Sequence, residues 1–330
     1  MEPLSARHPQ HVRALLMLLL ANAFWGLSFP TIKAVVLVHE ALLPGSTHWF
    51  ITAMSVTPRY ILAALVMWLW QARRLGQTTR GELRQGLELG LFASFGTILQ
   101  NDGLQFTSAS TSAFLTQLYA VLIPALVAIR LRKSPGARVW LCGILVLVGV
   151  ALLGHFDWRT LSFGRGEWET LACSLFYMGQ ILCLERREFT NNDPLRLTLV
   201  MFTTQAVVFS GLLLCTAPGT TVVLQLCSSL PWVGLTLALT LTCTLAAFLL
   251  MNTWQPKITA TEAGLIYCFE PIFGSLLALF LPALFSVWCG IAYANETATR
   301  SLLVGGGLIT VANVLLQLRP PPKVELGSRK

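Results

Sequence analysis

Residues 257–273 read KITATEAGLIYCFEPIF, and residues 107–123, which lie 150 positions earlier, read TSASTSAFLTQLYAVLI. Aligned at that offset, the two segments share identical residues at Thr111/Thr261, Ala113/Ala263 and Leu115/Leu265. Farther along the chain the matches continue at an offset of 162, so the second copy contains about 12 additional residues around 286–298. This self-similarity predicts two repeats, which we place at 1–156 and 157–318, followed by a basic tail at 319–330.

The composition around these repeats is that of a membrane protein. Charged residues make up 12% of the 330 residues, hydrophobic residues make up 55%, and the mean hydropathy is +0.66. Soluble domains contain about 25% charged residues, and so few charges cannot cover this much apolar surface. The composition therefore excludes a cytosolic enzyme, a disordered protein and a simple nucleic-acid binder.

Ten apolar segments are each long enough to cross a bilayer, which takes about 20 residues. They are predicted at 13–37, 46–70, 84–106, 110–130, 137–156, 166–185, 195–217, 231–254, 259–283 and 300–318. The predicted fold is therefore an all-α integral membrane protein with ten transmembrane helices. Five spans in each repeat make the second repeat enter the membrane in the opposite orientation, which is the arrangement of many secondary transporters.

The basic residues set the predicted orientation. If the N-terminus lies inside, the inner segments hold 18 Lys and Arg residues, and the outer loops hold Arg159, Arg165 and Arg300. Both termini are therefore predicted to lie in the cytoplasm. The net charge of +8 then reflects topology, and a nucleic-acid partner is not required.

Two charged residues fall near the middle of predicted spans, where a charge costs at least about 2.5–3.5 kcal/mol. Arg59 lies in the second span, and Glu270 lies in the ninth span immediately before Pro271. Each is a candidate for substrate binding or coupling, although a structural Arg59–Glu270 pair, or an Arg59 that caps helix carbonyls, explains the pattern as well. Removal from water favours the protonated form of a carboxylic acid, so Glu270 could exchange protons during transport.

Polar and aromatic residues follow one another at helical spacing in several spans, as expected for helices around a shared aqueous cavity. The further candidates for this lining are Asn22, Trp25, Gln100, Gln117, Tyr119, Tyr177, Gln180 and Tyr267. Each could instead serve helix packing. Lys33 and Asp102 lie nearer the outer face and are predicted to form a gating salt bridge, with snorkelling of both side chains as the alternative.

The chain offers little for other chemistry. His39-Glu40 lacks the second histidine of a zinc-protease motif, and no nucleotide-binding motif follows a strand pattern. We therefore expect neither a catalytic residue nor a cofactor or metal. Most of the eight cysteines lie in apolar segments, and a disulfide between Cys227 and Cys289 is the one pairing left open.

The N-terminus resembles a cleavable signal peptide, because Arg7 and Arg13 come just before an apolar run that ends near Ala21-Asn22-Ala23. The apolar character continues to Val38. Cleavage would also leave nine spans and disturb the distribution of basic residues. We therefore expect the first span to be retained.

Four motifs resemble the EamA-type drug/metabolite transporters over nearly the whole chain. They are Phe24-Trp25-Gly26, Arg59, Thr107-Ser108-Ala109-Ser110 and Phe269-Glu270-Pro271. The resemblance implies a basket-like helical fold with inverted repeats that moves amino acids, other small metabolites or toxic compounds across the bacterial inner membrane, often outward. The longer link at 286–298 departs from the family pattern.

Together these features predict a secondary transporter that exports small metabolites through the bacterial inner membrane, with protons as a candidate coupling ion. The aromatic candidates beside Arg59 and Glu270 would suit a zwitterion with an apolar part, such as an amino acid. Two other classes remain open: an integral-membrane enzyme or lipid-handling protein without transport, and a sensor or scaffold. The five histidines are scattered over tails and outer ends, which disfavours the enzyme.

Overall fold

The computed structural model describes residues 9–103, 106, 112, 115–131, 136–153, 164–298 and 300–318. All secondary structure in these residues is helical. The helices of the first half are α1 (Pro9–Leu42), α2 (His48–Gln71), α3 (Arg80–Gly103), α4 (Tyr119–Leu131) and α5 (Ala137–Leu153). Those of the second half are α6 (Arg165–Leu184), α7 (Pro194–Thr216), α8 (Thr220–Cys227), α9 (Leu230–Ala238), a π-helical segment (Leu239–Ala246), α10 (Ala247–Trp254), α11 (Ala260–Tyr267), α12 (Glu270–Ala278), α13 (Leu281–Cys289) and α14 (Arg300–Leu318).

Seven predicted spans correspond to single helices, α1, α2, α3, α5, α6, α7 and α14, within five residues at each end. The start of the fourth span and the Thr107–Ser110 motif lie largely outside the described residues. The eighth span is one continuous run whose centre is π-helical. The ninth is interrupted after Tyr267 and again after Ala278, and its last part is bent by 57°.

Four helical stretches of the described chain are long and apolar enough to cross a membrane: Gln10–Leu42, His48–Gln71, Pro194–Thr216 and Leu230–Lys257. The bent pair Ala260–Ala278 and Leu281–Cys289 makes a fifth if it forms one span. Helix α3 has 24 residues, but Arg80, Glu82, Arg84, Glu88 and Asp102 reduce its apolar character. Length and composition therefore support four or five spans of the ten predicted.

Large apolar side chains on the outer surface fit a membrane setting. Leu69 is 79% exposed, Leu214 is 84% exposed and Val287 is 86% exposed, and each lies on a different helix. Apolar surface on this scale would be unfavourable in water. The protein is thus a multi-pass membrane protein whose outer surface contacts lipid.

The helix contacts form a regular pattern. Helix α2 packs against α7, and α5 packs against α14. Helix α3 lies along α6 and α7, while the α9–α10 run lies along α1 and α2. Helix α1 also packs against α12, so elements from both halves of the chain surround the interior.

Gly26 allows α1 to approach α12 closely. A Cβ atom added at Gly26 would lie 2.5 Å from the Cβ of Phe273 and 2.8 Å from the backbone nitrogen of Gly274. Such distances are far below van der Waals contact, so any side chain there would push the two helices apart. The glycine of the Phe24-Trp25-Gly26 motif is thus explained by packing.

Replacing Gly26 with alanine is expected to destabilise the fold by about 1–3 kcal/mol, the usual cost of overpacking. Gly211 in α7 is a matched control, because a Cβ added there meets no atom within 4 Å. Gly211→Ala should be neutral or stabilising by up to about 1 kcal/mol, since alanine favours helices. Thermal unfolding in detergent measures both effects, and equal melting temperatures for the two variants would contradict the packing account.

The additional link of the second repeat folds back on the helices before it. The backbone nitrogen of Glu296 donates to the carbonyl of Ala278 over 2.9 Å, and Asn295 Oδ1 accepts from the backbone nitrogen of Ala283 over 2.7 Å.

All eight cysteines are free thiols, so Cys227 and Cys289 do not form the disulfide that the sequence left open.

Candidate functional site

A cavity of about 110 Å³ lies among α1, α2, α3, α4, α6, the π-helical segment, α10, α11 and α12. One water needs about 10–15 Å³ on this measure, so the space can hold several waters or a small solute. Its walls are formed by Trp25, Ser28, Ile32, Arg59, Tyr60, Thr97, Gln100, Asn101, Thr116, Tyr119, Tyr177, Gln180, Ile181, Cys243, Phe248, Met251, Tyr267 and Glu270.

Eight of the ten candidate side chains line this cavity: Trp25, Arg59, Gln100, Tyr119, Tyr177, Gln180, Tyr267 and Glu270. Asn22 and Gln117 do not. The Asn22 side chain is fully buried and donates to the carbonyl of Leu18, one turn earlier in α1, over 2.7 Å. Gln117 is buried just before α4, and its Oε1 atom has no hydrogen-bond partner among the described residues.

Arg59 brings a positive charge into the cavity. Its side chain is 5% exposed, and Nη2 donates to Thr244 Oγ1 in the π-helical segment over 3.1 Å. Its Nε atom has no partner within the described chain, and no described carboxylate lies within ion-pairing distance. A guanidinium remains charged in a protein, and an unpaired buried charge is costly. The site is therefore suited to an anionic group that would complete the coordination of Arg59.

Glu270 lies at a different point of the same wall. It is the first residue of α12, directly after the interruption that follows α11, and Pro271 comes next in the first turn. A carboxylate at the first turn of a helix is stabilised by the helix dipole. The side chain is half-buried and forms no ion pair with a described residue, so the structural Arg59–Glu270 pair considered from the sequence is not formed.

Aromatic rings form an apolar part of the wall. The Trp25 ring lies edge-on to Phe248 and to Tyr267, with 5.5 Å between ring centroids in both pairs. Such T-shaped contacts hold the rings in defined orientations. The cavity thus combines one buried cation, one carboxylate and a rigid aromatic surface.

Hydrogen bonds close the cavity at the end formed by the start of α1 and the end of α10. The Tyr267 hydroxyl donates to Gln255 Oε1 over 2.7 Å, and Gln255 Nε2 donates to the carbonyl of Ile181 over 2.8 Å. Below this layer, His11 Nε2 lies 3.1 Å from Glu262 Oε1. These contacts join α1, α6, the turn after α10, and α11.

The opposite end is less tightly closed. Ser28, Gln100 and Asn101 are half-buried, whereas Gln180 and Met251 at the closed end are buried. The Tyr177 hydroxyl donates to Gln100 Oε1 over 2.9 Å and so links α6 to α3 near this opening. The positive-inside prediction would place the sealed end on the cytoplasmic side.

The predicted Lys33–Asp102 salt bridge is wrong. Asp102 is fully buried and forms its ion pair with Arg165 at the start of α6, and Arg165 Nε also donates to Glu169 Oε1 over 2.8 Å. Lys33 is exposed on α1. The reason is the packing of α3 along α6, which turns Asp102 toward α6 and away from α1.

Arg165→Met should therefore lower the melting temperature by several degrees, because it leaves the buried Asp102 carboxylate without its cation. Lys33→Met is the matched control, since it removes an exposed charge of the same sign near the same face. It should change the free energy of unfolding by no more than about 0.5 kcal/mol. A larger loss of stability in Lys33→Met than in Arg165→Met would contradict this account and support the Lys33–Asp102 salt bridge instead.

Several wall residues were not among the predicted candidates. Thr97 precedes Gln100 and Asn101 by one helical turn and Tyr60 follows Arg59 directly, so both were within reach of the spacing pattern. Phe248 and Met251 belong to an apolar run that gives no such signal.

Among the described residues, no group of three or more His, Cys, Asp or Glu side chains could hold a metal ion.

Comparison with known proteins agrees with this architecture. Residues 12–154 match the model of the EamA-like transporter family. An uncharacterized transporter from Archaeoglobus fulgidus is 22% identical over 313 residues, which cover 92% of this chain and 85% of the relative. One solved crystal structure superposes on this chain with a TM-score of 0.67 at 14% identity. The superposition covers 93% of this chain and 97% of the other protein, so the two share a fold.

Proposed function

We propose that this chain, whose residues 12–154 match the model of the EamA-like transporter family, exports small metabolites, amino acids or related compounds by alternating access. The observation that carries the proposal is that one cavity with aromatic walls contains two separate charged groups. They are the buried Arg59, which has no carboxylate partner among the described residues, and the carboxylate of Glu270. The family and the transporter-named relative support a membrane transporter of small molecules in general terms.

The arrangement of charges suits a zwitterion. Arg59 would hold a carboxylate through charge-assisted hydrogen bonds, which are stronger than neutral ones. Glu270 would hold an ammonium group, and the rings of Trp25, Phe248 and Tyr267 would cover an apolar part. The small volume of the cavity supports a metabolite of modest size.

Two inverted repeats, 1–156 and 157–318, would supply the two conformations. The contacts support this division, because exchange of the halves maps α2 on α7 and α5 on α14, and these pairs pack on each other. The same exchange maps α3 on the α9–α10 run, and these pack along α6 and α1 respectively. The present conformation would then be outward-facing, with the Tyr267–Gln255–Ile181 layer as the inner gate.

Proton coupling through Glu270 completes the proposal. A single carboxylate can hold either a proton or the ammonium of the substrate. If it must exchange one for the other before the cavity changes sides, protons entering the cell would drive substrate outward. The 18 basic residues in predicted inner segments, against three outside, support two cytoplasmic termini in the inner membrane.

The test is transport by the purified protein in liposomes, with a panel of radiolabelled amino acids, organic acids and amines, each with and without a pH gradient. We expect saturable flux for zwitterions above that for simple amines or acids, and stimulation by a gradient that is acidic on the receiving side. An absence of saturable flux for every compound would favour the alternative of a membrane enzyme or lipid-handling protein. Flux without zwitterion preference would reject the assigned roles of Arg59 and Glu270.

A further inference from the structure

A second concave region lies away from the central cavity, on the outer side of the helices. This crevice has a volume of about 550 Å³ and lies between α3 and α4, both of which pack on α6. Its apolar wall consists of Phe92, Leu126, Leu175, Met178 and Leu182. Leu175 is 49% exposed, so the crevice opens toward the surface that contacts lipid.

One end of the crevice is basic. Arg130 at the end of α4, and Arg186 and Arg187 just after α6, line it together with Glu188. Arg186 Nη1 lies 2.6 Å from Glu88 Oε2 and 3.6 Å from Glu188 Oε1, so its charge is already balanced. Three arginines and one glutamate line this end of the crevice, so its lining is predominantly basic.

These features match the two parts of a phospholipid. An apolar crevice with basic residues at one end offers contacts for an acyl chain and for a phosphate at the same time. Both basic helix ends belong to segments that the charge distribution places on the cytoplasmic side. Anionic lipids are concentrated in that leaflet, and basic pockets between transmembrane helices on that side bind their headgroups.

We propose that this crevice is a binding site for one anionic phospholipid of the cytoplasmic leaflet, with its headgroup at Arg130 and Arg187 and an acyl chain along Leu126, Met178 and Leu182. Neither arginine lines the central cavity, so the site is separate from the transport pathway. The lipid would fill the gap between α3 and α4 and hold both helices on α6.

Native mass spectrometry of the delipidated protein, given an equimolar mixture of phosphatidylglycerol and phosphatidylcholine with identical chains, tests this site. Wild type should retain one phosphatidylglycerol in preference to phosphatidylcholine. Arg130→Gln should reduce that preference roughly fivefold, since one basic residue near a membrane surface contributes about a factor of that size. Met178→Trp should fill the crevice and reduce retention of both lipids.

Arg73→Gln is the matched control, because Arg73 is an exposed arginine on the predicted cytoplasmic side, in the 3₁₀ helix after α2. It should leave the lipid preference unchanged, and the melting temperatures of all variants would verify folding. Equal retention of the two lipids by wild type would overturn the proposal. So would a loss of preference in Arg73→Gln as large as in Arg130→Gln, since that would indicate attraction by surface charge in general.

Discussion

Arg59→Met is expected to reduce transport at low substrate concentration by roughly ten- to a hundredfold without reducing stability. The lost interaction is a charge-assisted hydrogen bond to the substrate, worth about 1.5–3 kcal/mol. The fold loses little, because Arg59 has one neutral hydrogen bond, to Thr244, and no carboxylate partner within the described residues. A buried charge without an ion pair is itself costly, so its removal should not reduce stability.

Opposite changes in transport and stability separate this account from a structural one. If Arg59 mainly held α2 against the π-helical segment, Arg59→Met would lower the melting temperature and transport together. Arg59→Lys should retain part of the flux, because it keeps the charge but loses the planar donor geometry. Thr244→Val removes the hydroxyl and keeps the shape, and it should affect transport less than Arg59→Met.

The sequence predicted the helices better than their interruptions. Hydropathy places long apolar segments well, because burial in lipid or protein requires the same residues along the whole length of a helix. The interruption between Tyr267 and Glu270 comes just before Pro271, whose ring disrupts the preceding turn. The bend before α13 and the π-helical segment were not predicted, and Leu239–Ala246 contains only residues that an ordinary helix accepts.

Lateral neighbours of helices were harder to predict than positions along them. The shared cavity brings together Arg59, Glu270 and Trp25, each of which lies near the middle of its span. The sequence predicts this depth, because the position of a residue within an apolar segment gives its depth in the membrane. Asp102 pairs with Arg165 because α3 packs along α6, and one sequence does not reveal which spans are adjacent. Gln117 was expected in the cavity wall and does not lie there, for a related reason. Polarity at helical spacing does not distinguish a cavity wall from a helix interface.

Glu270→Gln should make transport independent of a pH gradient while substrate binding at Arg59 persists. With one proton exchanged per substrate, a gradient of one pH unit drives a concentration ratio of about tenfold, or about 1.4 kcal/mol. Glutamine keeps the size and hydrogen-bonding capacity of the side chain but cannot release a proton. We therefore expect the tenfold pH-driven accumulation of the wild type to disappear in Glu270→Gln. Exchange of labelled for unlabelled substrate should persist at saturating substrate concentration, although the lost contact with the ammonium group weakens binding.

Glu262→Gln provides the matched control, because Glu262 is a buried acid in the same interrupted span but lies outside the cavity wall. Its carboxylate caps α11 through Thr259 and contacts His11. Its loss should lower stability and leave the accumulation ratio per pH unit unchanged. Full pH-driven accumulation by Glu270→Gln would mean that another group carries the proton, because no exchangeable carboxyl would then remain where Glu270 meets the cavity.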